Sequence, residues 1–188
     1  MRIISGRLKG LRLALHAKAK IRPTAERVRE ALFSALGSAV CGVDALDLFA
    51  GTGALGLEAL SRGAGSVTMV EKDLRLARDL AGFCAGLKMV DNIKVLNMDA
   101  GKSLDYLSSR QIKFGLIFLD PPYDSDWISR LLPDASFRGL LSPGGLVVVE
   151  RTGLSKNIQD FECHGLETTF SRKYGATMLE IFKSVNSD

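Results

Sequence analysis

Between Val43 and Glu150 the chain alternates short apolar, β-rich runs with helical stretches, and this alternation limits the fold more than any other feature. Residues 43–49, 66–71, 93–97, 114–119 and 146–150 read as strands. The stretches 54–61, 74–87, 103–108 and 127–132 between them carry helical spacing. Consecutive parallel strands need a crossover connection, and a helix supplies it, so the pattern predicts a parallel sheet with helices on its faces. After Glu150 the pattern changes. Residues 166–170 and 177–182, joined through Arg172-Lys173-Tyr174-Gly175, read as an antiparallel hairpin that finishes the sheet.

A different segment precedes Val43. Residues 2–15 read as a β-hairpin, with apolar Ile3, Ile4, Leu11, Leu13 and Leu15 and with Gly6 and Gly10 in the turn region. Residues 17–22 form a polar connector. Thr24 is the expected N-cap of a helix in which Ala25, Val28, Leu32, Ala35 and Leu36 share a face. Arg27 and Glu30 lie on its polar side, and Gly37 ends it. We therefore expect a hairpin-and-helix extension over 1–37 and a sheet domain over 38–188. Residues 1–30 hold nine Lys or Arg against Glu26 and Glu30, a net +7 in a chain whose total is +4. The basic character belongs to the extension, which points to a polyanion, nucleic acid first. A merely solvated surface is the plain alternative.

Several classes drop out. Charged residues are 24% and hydrophobic residues 46%, the balance of a soluble globular protein. No apolar run approaches membrane-spanning length, and Met1-Arg2-Ile3-Ile4-Ser5-Gly6-Arg7 lacks the apolar core of a signal peptide. A cytoplasmic monomer with no membrane partner is expected. Cys41, Cys84 and Cys163 are odd in number and widely spaced, and His16 and His164 have no partner motif. Neither a disulfide framework, a metal site nor a histidine-based triad is expected.

Asp47-Leu48-Phe49-Ala50-Gly51-Thr52-Gly53 joins the first sheet strand to its helix. Gly51 and Gly53 allow a tight turn and close backbone approach to a ligand. Glu71 ends the next strand, where a carboxylate can bind both ribose hydroxyls of an adenosine. With Gly56 this also satisfies the dinucleotide fingerprint, so a nicotinamide oxidoreductase must be weighed. Against it stand Asp47, placed to meet the cationic methionine end of S-adenosylmethionine, and Asp99-Ala100 after the third strand, where an acid can accept from an adenine amine. Phe49 and Lys72 flank these positions and complete the expected cofactor set.

Asp120-Pro121-Pro122-Tyr123 follows the apolar strand 114–119. Ligands of open α/β sheets bind at the carboxyl ends of strands. Two prolines make the turn rigid and leave it only carbonyls, and an ionised Asp offers only acceptors. A rigid set of acceptors beside an aromatic ring suits a nucleobase with an exocyclic amine. The plain alternative is a strand-terminating turn.

These motifs, in this order, resemble the RsmD-type methyltransferases, which methylate the N2 amine of one guanine in 16S ribosomal RNA. The matching residues are Arg22-Pro23-Thr24, Arg27-Val28-Arg29-Glu30-Ala31-Leu32-Phe33, residues 47–63, Val70-Glu71-Lys72-Asp73, the Asp120 tetrad and Tyr174-Gly175-Ala176-Thr177. The departures are Thr52 where Ser is common and Phe182 where Tyr is often found. The resemblance implies a seven-stranded S-adenosylmethionine-dependent methyltransferase fold and a 16S ribosomal RNA substrate, free or within an assembling small ribosomal subunit. It makes Asp120, Pro121, Pro122 and Tyr123 the catalytic group. Arg2, Arg7, Lys9, Arg12, Arg22 and Arg27 are the candidates for phosphate contacts, with Arg172 and Lys173 beside them. Adenine also presents an exocyclic amine, so an adenine-N6 methyltransferase stays open, as does an RNA-binding module without catalysis.

Overall fold

The computed structural model of the chain describes residues 1–13, 23–122, 125–152 and 165–185. The expected connector 17–22, including Arg22, lies outside them, as do Leu15 and Tyr123. Seven strands form one sheet in the order β3-β2-β1-β4-β5-β7-β6. They are β1 (Asp44–Asp47), β2 (Ser66–Glu71), β3 (Ile93–Asn97), β4 (Phe114–Leu119), β5 (Leu141–Thr152), β6 (Leu166–Tyr174) and β7 (Thr177–Ser184). β1 pairs in parallel with β2 and β4, β2 with β3, and β4 with β5. β7 runs antiparallel to both β5 and β6.

The helices are α1 (Pro23–Leu36), α2 (Ala54–Ser61), α3 (Leu74–Ala85), α4 (Ala100–Ser108), α5 (Trp127–Leu131) and α6 (Ala135–Arg138). Side chains alternate across each strand, so the sheet feeds two cores. Ala45, Val67, Met69, Leu116, Phe118 and Val148 pack with α1, α2, α3 and Ile3 and Leu13 of the amino-terminal hairpin. Leu46, Val70, Ile117, Leu119, Val147 and Val149 pack on the other face with Leu104, Leu107, Leu131 and Phe137.

Several boundaries differ from the sequence expectation. β1 stops at Asp47 rather than at 49, because the chain leaves the sheet there to form the glycine loop. α4 begins at Ala100 rather than 103, since Asp99 caps it by accepting from Gly101 N at 2.9 Å. α1 starts at Pro23, which puts Thr24 inside the first turn rather than at the cap. β5 begins at Leu141, five residues early, with a register shift between Phe114 and Leu116 on its partner where Pro143-Gly144-Gly145 interrupts the apolar pattern. Arg172 and Lys173 lie within β6 rather than in the turn, which is made by Gly175 at φ 62° and Ala176. The short helix α6 was not expected; Asp134 caps it through Phe137 N at 3.0 Å.

The hairpin is brief. Arg2 and Arg12 form a bridge, Ile3 N donates to Leu11 O at 3.0 Å, and Gly10 N donates to Ile3 O at 2.9 Å. It is fastened to the sheet domain through Glu58 of α2, which is fully buried. That carboxylate accepts from Ile4 N at 2.8 Å, Ser5 N at 3.1 Å and Arg62 Nε at 2.7 Å. Arg29 Nε of α1 lies 3.8 Å away, and its Nη2 donates to Arg2 O at 2.7 Å. The next turn of the hairpin covers the end of α2: Arg7 N donates to Ser61 O at 2.8 Å and Arg7 Nη2 to Leu60 O at 3.3 Å. The first of these supplies a donor to a carbonyl at the end of α2, where intrahelical partners run out, and the second adds a donor to a carbonyl that already accepts from Gly63 N.

Glu58→Ala should therefore be strongly destabilising. It leaves the buried Arg29 guanidinium without its counter-charge, and Arg62 Nε and two backbone amides without their acceptor, a loss of about 3–5 kcal/mol by the cost of breaking a buried pair. Urea denaturation measures it. A loss below about 1 kcal/mol, the range of exposed pairs, would show that Glu58 does not hold the extension.

Candidate active site

Four carboxylates mark one edge of the sheet. Asp47, Glu71 and Glu150 stand at or near the carboxyl ends of β1, β2 and β5, and Asp120 follows the last residue of β4. Each continues the alternation of Ala45, Met69, Phe118 or Val148, so all four belong to the face that carries α1, α2 and α3. The strand order reverses direction between β1 and β4 at this edge, the place where open α/β sheets bind ligands.

Asp47 is 1% exposed. Its Oδ2 accepts from Gly56 N in the first turn of α2 at 3.1 Å. Burial raises its pKa to about 7, opposed by hydrogen bonds from the Gly56 and Phe49 amides and reinforced by the Glu71 charge. Gly51 and Gly53 both have positive φ, 52° and 74°, which lets the loop turn without strain. Gly56 is needed for a different reason: a Cβ there would lie 2.9 Å from Val67 and Met69 side-chain atoms, so its absence lets α2 approach β2. Glu71 reaches across the loop. Its Oε2 accepts from Gly51 N at 2.9 Å and its Oε1 from Asp73 N at 2.7 Å.

A cavity of about 390 Å³ opens beside the loop, within the usual range for a small-molecule site. Gly51, Glu71, Lys72, Asp99, Ala100, Asp120, Pro121 and Pro122 line it, so the loop, the two acids beyond it and the proline turn share one space. Phe49 lines it as well, its ring 5.7 Å from that of Trp127 and tilted by 59°. Asp47 and Gly53 do not line this cavity. Asp47 fixes the loop from behind, and Gly53 is the N-cap residue of α2.

Asp120 is held well above the ordinary carboxylate range by burial first, then by the charges of Glu150 and Asp47. Burial raises Glu150 too. Leu119 of β4 is in register with Val149 of β5, so Asp120 and Glu150 emerge from neighbouring strands side by side. The sequence reading missed Glu150, though it had placed a strand ending there, and it missed Trp127, the chain's only tryptophan.

A second cavity of about 390 Å³ lies between the hairpin and α1, lined by Arg2, Lys9 and Arg27 with Glu26 and Glu30 opposite. Lys9, Arg12 and Arg27 are exposed. Arg2 pairs with Glu26 at 3.2 Å. The hairpin's first residue reaches the glycine loop: Thr52 Oγ1 lies 3.7 Å from Met1 Sδ. Among the described residues no three His, Cys, Asp or Glu side chains are grouped to hold a metal, and no helix is long and apolar enough to cross a membrane.

The model of a family described as "Conserved hypothetical protein 95" matches residues 1–183. The chain is 34% identical to "Putative rRNA methyltransferase YlbH" of Bacillus subtilis, over 97% of this chain and 98% of that one. It is 35% identical to "Ribosomal RNA small subunit methyltransferase D" of Escherichia coli strain K12, over 80% and 74% respectively. The solved structure of "Putative methyltransferase yhhF" from Escherichia coli superimposes with a TM-score of 0.82 at 30% identity, covering 100% and 99% of the two chains.

Asp47 generates a prediction about pH. A carboxyl whose folded pKa exceeds its unfolded value costs stability as pH rises from the unfolded value towards the folded one, here from about 4 to about 7. Asp47→Asn should thus stabilise the free protein at pH 8 by about 2–4 kcal/mol more than at pH 4, because the amide never ionises. Thermal melts at the two pH values check this, and an equal change at both would contradict the buried-acid account.

Proposed function

From its membership of the Conserved hypothetical protein 95 family, to which this chain belongs, we propose that it transfers a methyl group from S-adenosylmethionine to the exocyclic N2 amine of a guanine in 16S ribosomal RNA. The chain is a methyltransferase. The observation that carries the reading is the single cavity that joins Gly51 and Glu71 to Asp120, Pro121 and Pro122. One end offers what an adenosine needs and the other what a base amine needs.

The residues fit the cofactor. Glu71 presents carboxylate oxygens for the ribose hydroxyls while still accepting from Gly51 N, since each oxygen has more than one lone pair. Asp99 spends Oδ1 on capping α4 and retains Oδ2 for the adenine amine. Lys72 and Ala100 line that part of the cavity, and Phe49 with Trp127 gives it an aromatic wall. Asp47 is assigned to the methionine end, through the loop it fixes. When bound, the cofactor supplies an electrophilic methyl group on a sulfonium. The match to methyltransferases over most of the chain sets the oxidoreductase reading aside.

The guanine N2 lone pair is delocalised into the ring and weakly nucleophilic. Asp120 and the Pro121 carbonyl accept its two hydrogens, which localises the lone pair and strengthens as charge develops on nitrogen. The rigid Pro121-Pro122 turn fixes the amine in line with the methyl group, and Tyr123 is assigned to stack on the base. Alignment of this kind is worth about 7–11 kcal/mol, more than proton transfer supplies. The base must leave its stack to reach the cavity. The extension 1–37 is the RNA-binding part, and the sheet domain 38–188 the catalytic part. Arg2, Arg7, Lys9, Arg12, Arg22 and Arg27 meet phosphates, and the Met1–Thr52 contact keeps that surface beside the glycine loop. The substrate is free RNA or an assembling small subunit; the enzyme works as a cytoplasmic monomer without a metal.

Two experiments test this. Incubation with labelled cofactor and unmethylated small-subunit RNA should give label in N2-methylguanosine. Asp120→Ala should reduce that turnover at least 100-fold, about 3 kcal/mol of transition-state stabilisation, with cofactor affinity little changed. Asp120→Asn should keep part of the activity, because its amide oxygen still accepts. Full activity in the alanine variant would remove Asp120 from the mechanism.

For RNA binding, Lys9, Arg12 and Arg27 are the informative set, because Arg7 also bonds to Leu60 O and Arg2 to Glu26. Replacing the three by Ala should weaken RNA binding and flatten its salt dependence by about 2–3 in log–log slope through fewer released counterions. Parallel slopes with equal affinity would place the RNA surface elsewhere.

A further inference from the structure

The Asp120–Glu150 pair has no use in the account above beyond the acceptor role of Asp120. The two carboxylates emerge side by side from β4 and β5. The cations of that region are committed elsewhere. Arg29 and Arg62 attend Glu58, and Arg151 projects to the opposite face and pairs with Glu180 at 2.8 Å. Asp47, from β1, adds another negative group on the same side, with Glu71 beyond it on β2. Lys72 is exposed at the far end of the cavity, beside Glu71. Among the described residues no cation forms an ion pair with Asp120 or Glu150. Asp120 lines the cavity, and Glu150 stands next to it on the neighbouring strand.

We propose that the Asp120–Glu150 pair senses the charge of the cofactor: it holds a proton in the free protein, releases it when the cationic sulfonium form binds, and recovers a proton from the target amine during methyl transfer. The inference rests on the methyltransferase reading of this cavity. Two neighbouring carboxyl groups in one half-buried site resist double ionisation, as their raised proton affinities indicate. A ligand carrying a sulfonium favours the doubly ionised pair. The demethylated product lacks that charge and differs in nothing else.

The steps balance. On binding, one proton passes from the pair to solvent. In the transfer the N2 lone pair forms the N–CH3 bond, and the S–CH3 bond breaks with its electrons left on sulfur. The proton lost by N2 goes to the pair. The sulfonium charge disappears as the pair regains one proton, so the site is never left with two uncompensated anions, and the pair returns to its singly protonated starting state. Glu150 acts through Asp120 and is a positioning residue in this scheme. Its charge raises the proton affinity of Asp120, so Asp120 is the better acceptor when the amine gives up its proton.

Isothermal titration calorimetry in two buffers of different ionisation enthalpy, at neutral pH, counts protons released per ligand bound. S-adenosylmethionine should release about one proton more than S-adenosylhomocysteine, and its affinity should rise more steeply with pH. Both ligands carry the same ammonium and carboxylate, so proton movements driven by those two groups cancel in the difference, and variants of Glu150 and Asp120 separate the pair from Asp47. Glu150→Gln should bind S-adenosylhomocysteine normally and lose most of the difference, because Asp120 no longer faces a second acid. Asp120→Asn should do the same, and serves if the first variant fails to fold. Equal proton release for the two ligands would overturn the inference, as would an undiminished difference in the variants. Binding of neither ligand would instead sink the methyltransferase reading itself.

Discussion

The site depends on the way two carboxylates hold the glycine loop between them. Asp47 grips it from behind through Gly56 N, and Glu71 grips it from the front through Gly51 N. The loop needs positive φ at two glycines and an α2 that touches β2 at Gly56, so it has little freedom of its own. With the loop fixed, the first turn of α2 and the ends of β1 and β2 are fixed as well. The wall of the cavity follows from that arrangement. The cost is a nearly inaccessible acid at Asp47, whose raised proton affinity records how unwelcome its charge is there.

α2 has a second task. Its buried Glu58 gathers the hairpin amides of Ile4 and Ser5 together with Arg62, and Arg29 stands close by. Its last carbonyls receive the hairpin turn. The helix that begins at the glycine loop therefore ends at the basic extension, and one short rigid element links cofactor chemistry to the surface proposed for RNA. Met1 beside Thr52 closes the circuit from the other side. The hairpin and α1 also share the core of the sheet face that carries the four acids.

Much of this was legible in the residues. The period-two and helical runs gave the order of elements, because parallel strands need crossovers, and Gly51, Gly53, Glu71 and Asp120 fall at strand ends where ligand groups belong. What stayed hidden was non-local or masked by breakers. Pro143-Gly144-Gly145 concealed the first five residues of β5, and side-chain caps by Asp99 and Asp134 set helix starts that apolar spacing does not mark. Nothing local in the sequence shows that Arg29 and Glu58 are both buried and face each other. Glu150 ended an expected strand just as Glu71 does, but its significance arises only when β4 and β5 are known to be neighbours in register.

The central claim is that this edge of the sheet methylates the N2 amine of a guanine in 16S ribosomal RNA. Nucleoside mass spectrometry of 16S ribosomal RNA from cells with and without this protein tests it most directly. The account predicts loss of one N2-methylguanosine in the deficient cells and its return when the wild-type chain is supplied, but not when the Asp120→Ala variant is. Unchanged N2-methylguanosine together with a missing N6-methyladenosine would contradict it, and would assign the acceptors of Asp120 and Pro121 to adenine instead.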